Sequence, residues 1–340
     1  MTAAEALLGL MWIGVTAYAL FGGADFGAGF WDLVAGGPQR GAAQRRLIEH
    51  AIGPVWEANH VWLIFVLVVL WTGFPEAFAA IASSLYVPLT LVAVGVILRG
   101  AGFAFRKAVT GVALERLFGA TFAASSVITP FFLGTVAGAV ASGRVPSGVA
   151  EAHPVRSFIN PTSVLGGVLA VVVCAYLAAV YLTADARRAN EAVLVEAFRR
   201  RALVSGAVAG VVVLGGIGVL HADAPALFEG LTNRGLALVA LSALSGLVSL
   251  GCVWQRRFVA ARVAAAAAVT AVLWGWAAGQ YPDLLTGELT IREAAADPVT
   301  LRAALLSLAI GAVLVVPALV GLYVVAQREE PPHETPKPSA

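Results

Sequence analysis

Two runs place acids inside otherwise apolar sequence. The first is Gly22-Gly23-Ala24-Asp25-Phe26-Gly27-Ala28-Gly29-Phe30-Trp31-Asp32, and the second is Ile52-Gly53-Pro54-Val55-Trp56-Glu57-Ala58-Asn59-His60-Val61-Trp62. A carboxylate within a membrane-spanning helix costs about 2.5–3.5 kcal/mol on insertion scales, so it calls for a partner, a proton or a water-filled cavity. Asp25 and Glu57 are therefore candidate proton-handling groups. Alternatively, a long tilted helix brings Asp25 to interfacial water, and Glu57 caps or pairs near its helix start. Asp32 stands two helical turns after Asp25, on the same face. It is either the outer step of the same path or a residue of the headgroup region. His60 lies three residues after Glu57 on the adjoining face. It could act as a haem ligand, as a proton relay, or as a hydrogen-bond partner for Glu57 or a neighbouring subunit. Asn59 can donate and accept within a helix bundle, and Trp56 and Trp62 read as interfacial anchors. Glycines 22, 23, 27 and 29 would let another helix approach closely.

The elements that must position these residues are membrane helices. Of 340 residues, 59% are hydrophobic and only 12% charged, with a mean hydropathy of +0.86. A soluble domain carries about 25% charged residues. The composition therefore implies an all-α polytopic membrane protein. Nine apolar segments reach spanning length, at 6–35, 52–74, 76–98, 117–141, 161–184, 202–221, 235–254, 259–280 and 303–326. The second and third meet at a tight turn, Gly73-Phe74-Pro75-Glu76. Residues 1–326 form one integral membrane domain, and the Pro-, Glu- and Lys-containing segment 327–340 reads as a disordered tail. Pro88, Pro130 and Pro317 fall inside spans, where they would kink a helix. No internal sequence repeat is evident.

Charge placement gives the orientation. Seventeen of the 22 Lys and Arg residues fall in the odd-numbered loops and the tail, Arg99 and Arg106 among them. The positive-inside rule then puts those loops and the C-terminus in the cytoplasm and the N-terminus outside. Both Asp25 and Glu57 come to lie in the cytoplasmic third of the membrane. That is where the mouth of an inward proton path would be.

Little else is chemically equipped. Cys174 and Cys252 sit in apolar runs without CxxC or metal spacing. His50, His153 and His333 fall in loops or the tail, and His221 lies at the outer end of the sixth span. No two histidines share the mid-depth of facing spans, as bis-histidine haem ligation requires. The net charge of +2 says little about partners; no nucleic-acid partner is expected. Catalysis, if any, belongs to an assembly. Buried acids in a polytopic chain also suit a proton-coupled secondary transporter, although here they cluster to one side rather than at the midplane. A purely structural subunit is a third reading.

At the two acid-bearing runs the sequence resembles subunit II of the cytochrome bd-type quinol oxidases. Gly23-Ala24-Asp25-Phe26-Gly27-Ala28-Gly29 and Ile52-Gly53-Pro54-Val55-Trp56-Glu57-Ala58-Asn59-His60-Val61-Trp62-Leu63 carry the resemblance, with Phe74-Pro75 and Asn160-Pro161 in support. It implies two four-helix bundles plus one extra helix. It also implies a bacterial cytoplasmic-membrane complex that oxidises quinol and reduces dioxygen to water. The haems, two b-type with a d-type or a third b-type, would reside in subunit I, with none ligated by this chain. Asp25 and Glu57 match the family's acids, with a cytoplasmic proton path at the interface. A structural quinone or lipid and small single-span accessory subunits are further expected partners. Gly-Ala-Asp stands where many members have Gly-Phe-Asp. Glu57-Ala58-Asn59-His60 stands where many have Asp-Gly-Asn followed by Gln or Glu. The chain thus resembles a divergent branch.

Overall fold

The structure is a computed structural model that describes residues 2–52, 56–109, 111–148, 153 and 155–326. The expected disordered tail, 327–340, lies outside the described residues. Thr2 opens the first helix with a capping box: its hydroxyl accepts from the Glu5 N–H, and the Glu5 carboxylate accepts from the Thr2 N–H at 2.7 Å. Helix α1 (Ala3–Ala17) passes into a π turn (Tyr18–Gly22) and continues as α2 (Gly23–Leu33). There follow α3 (Pro38–Ile52), α4 (Trp56–Gly73), α5 (Pro75–Ser84), α6 (Tyr86–Ala108), α7 (Val112–Ala141) and α8 (Pro161–Arg188). Next come α9 (Ala192–Asp223), α10 (Pro225–Asn233), α11 (Leu236–Trp254) and α12 (Phe258–Gln280). A small antiparallel hairpin, β1 (Asp283–Leu285) with β2 (Leu289–Thr290), precedes α13 (Pro298–Ala326).

Among the described residues, eight helices, counting Ala3–Leu33 as one, are long and apolar enough to span a membrane. The ninth candidate is the pair formed by α4 and α5, bent by 118°. This corrects the expected third span, 76–98. Pro75 starts a separate helix directly after Phe74, and that helix ends at Ser84. The span proper begins at Tyr86 and runs to Ala108. Arg99, expected in a loop, is consequently inside a helix. Pro88 falls in that helix's first turn, where its missing N–H removes no helical bond.

The same device recurs. Phe74 (φ −140°, ψ 61°) precedes Pro75, and Ala224 (φ −137°, ψ 61°) precedes Pro225. Each links a long helix to a short one, and a third helix follows. The molecule is accordingly two four-span halves, α1/α2–α4–α6–α7 and α8–α9–α11–α12. Within them α1 packs on α4 as α8 packs on α9, and α6 on α7 as α11 on α12. Helices α2 and α7 both lie against α8 and join the halves. The junction depends on absent side chains. A Cβ on Gly27 would fall 1.8 Å from the Cys174 carbonyl oxygen, and one on Gly29 2.2 Å from the Ser126 hydroxyl. Of the four glycines expected to admit a neighbour, these two do so most closely; Gly22 faces the ring of Tyr18 on its own helix.

One buried cluster, with Trp31, Ile48, Phe103, Phe122, Leu177 and Phe198, fills the end that carries most of the arginines, the basic end. A second, with Leu7, Phe74, Leu85, Val145 and Leu285, fills the opposite end. Helix α13 is the extra one. Leu301 is buried near its start, but Leu306, Ile310, Val313 and Leu314 are exposed. An apolar helix so uncovered suits lipid or another subunit.

Candidate functional site

Asp25 lies in the first turns of α2 and is only 3% exposed. Its partner is Arg99 of α6, 1% exposed, whose Nη2 donates to Asp25 Oδ1 at 2.7 Å and to the Asp25 carbonyl at 3.3 Å. Arg99 Nε donates to the Ser126 hydroxyl of α7 at 3.1 Å. The guanidinium also lies over the rings of Phe26 and Phe122, at 5.0 and 4.9 Å. Gly29 lets Ser126 come this close. Three helices thus converge on one buried ion pair. Arg99 Nη1 is buried and makes no hydrogen bond among the described residues. The pair therefore keeps one donor for another molecule, of which water is the simplest.

Two turns along α2 towards the basic end, Asp32 is also buried, at 4% exposure. Arg45 Nε of α3 holds its Oδ1 at 2.9 Å, and Arg106 Nη1 of α6 holds its Oδ2 at 2.8 Å. Arg106 also reaches Glu49 at 3.5 Å, and Arg45 donates to the carbonyls of Gly36 and Gly37. Asp32 is thus a clamp among α2, α3 and α6 rather than a free headgroup residue.

The start of α4 supplies the other expected residues. The side chain of Glu57 lies outside the described residues. Asn59 is buried, and its Nδ2 donates to the Phe21 carbonyl in the π turn at 3.4 Å. His60 Nδ1 is 3.4 Å from the Tyr18 hydroxyl, and its ring meets that of Phe26 at 5.9 Å. Trp56 packs on Phe103, 5.2 Å between ring centroids, beside Gly100. Trp62 lies against Phe65, and its indole N–H is buried without a hydrogen-bond partner among the described residues. Asp25, Asn59 and His60 all gather around the Tyr18–Phe26 stretch. Sequence reasoning missed Arg99, Ser126, Arg106, Arg45 and Tyr18. For Arg99 the signal was present: a carboxylate in a span needs a cation, and Arg99 directly follows an apolar run.

At the opposite end, Arg144 grips Asp223 with two hydrogen bonds of 2.6 and 2.9 Å. The Thr162 hydroxyl and N–H donate to the same carboxylate at 2.6 and 3.0 Å. Hydrogen bonding to that carboxylate raises the Arg144 guanidinium above its ordinary range. This cluster ties the loop after α7 to α8 and α9. Among the described residues no group of three or more His, Cys, Asp and Glu is placed to hold a metal ion.

The family model described as cytochrome bd terminal oxidase subunit II matches residues 3–326. Subunit 2 of the cytochrome bd ubiquinol oxidase of Bacillus subtilis (strain 168) is 31% identical over 153 residues, covering 45% of this chain and 44% of that protein. Subunit 2 of the cytochrome bd-I ubiquinol oxidase of Escherichia coli (strain K12) is 29% identical over 182 residues, covering 52% and 46%. The alignments thus span about half the length of these curated relatives. The solved bd oxidase from Geobacillus thermodenitrificans shares the fold, with a TM-score of 0.76, 23% identity, and coverage of 97% of this chain and 100% of that one.

Proposed function

The chain belongs to the cytochrome bd terminal oxidase subunit II family, and from that premise we propose that it serves a quinol-oxidising, dioxygen-reducing complex as its haem-free subunit. The partner is a haem-bearing subunit I, whose haems, b-type and in some complexes d-type, carry electrons and bind dioxygen. His60, the histidine nearest the interior of the first half, suits haem ligation poorly. Its Nδ1 is engaged by Tyr18, and Phe26 and Tyr18 box its ring. The role assigned to this chain is to support subunit I and to line proton uptake from the cytoplasm. Small single-span subunits and a structural quinone or lipid would complete the assembly.

The observation that carries the proton role is the buried Asp25–Arg99 pair with its unused Arg99 Nη1. The basic end is the cytoplasmic end by the positive-inside rule, which leaves the N-terminus outside. From that end the Glu49–Arg106–Asp32–Arg45 network leads inward along α2 and α6. Charged groups spaced along one line hold a file of water and orient it. Glu57, at the start of the neighbouring α4, would share the entry. Water formation then draws protons from inside while quinol releases its own outside, which generates a membrane potential without a pump.

The test is made on the complex purified through a tag on this chain. The dithionite-reduced optical spectrum gives haem content, and oxygen uptake with a quinol donor gives turnover. Glu57→Gln and Asp25→Asn are expected to depress turnover by two orders of magnitude or so, the value of a positioned proton-transfer group, at unchanged haem content. Turnover equal to wild type in both variants would reduce the chain to a scaffold.

A further inference from the structure

The π turn interrupts the first span, and consecutive residues of α4 meet it: Asn59 at the Phe21 carbonyl and His60 at the Tyr18 hydroxyl. Single π turns inside α-helices concentrate at functional sites. Here the turn re-aims Tyr18. Tyr18 and Asp25 are seven residues apart, and in an unbroken α-helix they would stack on one face. One extra residue in the turn sets them about 100° apart. Asp25 therefore meets Arg99 on α6, while Tyr18 meets His60 on α4. Gly22 makes this possible, because a Cβ there would fall 2.9 Å from the Tyr18 ring.

Phe26 fills the space between the two pairs. Its ring meets Tyr18 at 6.2 Å and His60 at 5.9 Å, edge to face, and carries the Arg99 guanidinium at 5.0 Å. The charged and titratable groups around Tyr18 and His60 are Asp25 of α2, Arg99 of α6 and Cys174 of α8, with Glu57 one turn back on α4. His60 is half-buried and borders a face of α4 that the described residues leave open, where Val61 and Ile64 are exposed.

We propose that Tyr18 and His60 form a hydrogen-bonded proton relay that continues the route from Asp25 and Glu57 and delivers protons from His60 Nε2 to the partner subunit; this rests on the proton-path reading above. With the Tyr18 O–H as donor to Nδ1, the neutral imidazole carries its hydrogen on Nε2. A proton delivered by water to the Tyr18 oxygen is matched by transfer of the phenol's own hydrogen to Nδ1. The resulting imidazolium releases the Nε2 hydrogen to an acceptor at the uncovered face. One proton enters, one leaves, and nothing is oxidised or reduced. Rotation of the hydroxyl and exchange of the imidazole tautomer reset the pair.

The test uses the purified complex carrying Tyr18→Phe, His60→Gln and both together, beside Asp25→Asn and Glu57→Gln. Turnover, its ratio in H2O and D2O, and haem content are read for each. Tyr18→Phe and His60→Gln should each slow turnover on the order of tenfold, below the full value of a positioned proton-transfer group because water bridges the gap. The double variant should be no slower than the slower single, since the two act as one unit. The solvent isotope ratio should rise at unchanged haem content, which a merely structural contact would not produce. If His60→Gln loses haem, Tyr18→Phe, which keeps the ring, decides alone. Wild-type turnover and isotope ratio in Tyr18→Phe would overturn the relay. In that case slowed Asp25→Asn and Glu57→Gln would leave the path reading standing, and unaffected ones would remove both.

Discussion

The two halves of this molecule solve the same packing problem with different chemistry. Arg99 stands 25 residues past Phe74, and Ser249 stands 25 residues past Ala224. Each lies on the third span of its half and bridges the first and fourth. Arg99 joins Asp25 of α2 to Ser126 of α7. Ser249 accepts from the Tyr176 hydroxyl of α8 at 2.6 Å and donates to the Ala261 carbonyl of α12 at 2.9 Å. The second half shows that a neutral pair suffices to hold such a hub. A buried ion pair is weak evidence for stability, because replacing it with well-fitted neutral groups is often harmless. The charges of the first half therefore call for a reason other than folding, and the proposed proton path would supply one. Further along, the halves converge: Arg106 and Arg256, each 32 residues past its turn, both bind glutamates near the basic end, Glu49 and Glu196.

The largest effect expected from breaking this comparison is Arg99→Met, which strands the Asp25 carboxylate in the interior. It should cost about 3–5 kcal/mol, seen as a collapse in the yield of haem-loaded complex. Asp25→Leu combined with Arg99→Met imitates the neutral hub of the second half and should restore assembly without restoring oxygen uptake. Recovery of both would mean that the charges only serve packing. Next in size is Gly27→Ala, whose Cβ meets the Cys174 backbone; about 1–3 kcal/mol of overpacking should lower the thermal midpoint in detergent. Gly246→Ala, with nothing within 4 Å, should leave that midpoint in place. The smallest effect belongs to the second hub. Ser249→Ala and Tyr176→Phe should each cost about 1 kcal/mol and leave turnover at the wild-type value. Slowed turnover there, at full haem content, would show that the neutral hub also takes part in the reaction.

Membership of the oxidase family displaces the transporter reading that buried acids alone allowed. Most of the architecture was legible because apolar length is so direct a signal. The misplaced third span shows where that signal fails. Pro75–Ser84 is apolar enough to pass as membrane helix, so the expected span began too early and ended at Leu98, one residue short of the cation that matters most. The polar helix Pro38–Ile52 was invisible to a search for apolar runs, although it supplies Arg45 to Asp32. Asp25 and Asn59 stood out by their residue type. Tyr18 did not, because Tyr-Ala-Leu-Phe-Gly is ordinary helical sequence and nothing in it announces a π turn. The repeat between halves was hidden because what recurs is backbone geometry at Phe74 and Ala224, carried by unlike residues.

That π turn also divides the first span into two separately phased pieces. The piece before the turn is set by Leu7 and Met11, both buried in the cluster at the end opposite the basic one. The piece after it is set by Asp25 and the glycines that press on α7 and α8. Each piece has its own helical wheel, and the turn is the gear that lets both engage at once. Loss of one residue between Tyr18 and Gly22 would shorten the span by only about 1.5 Å, yet it would swing everything before it by about 100°. Leu7 and Met11 would then face away from the positions they now fill. The length of this turn is thus under tighter constraint than its composition.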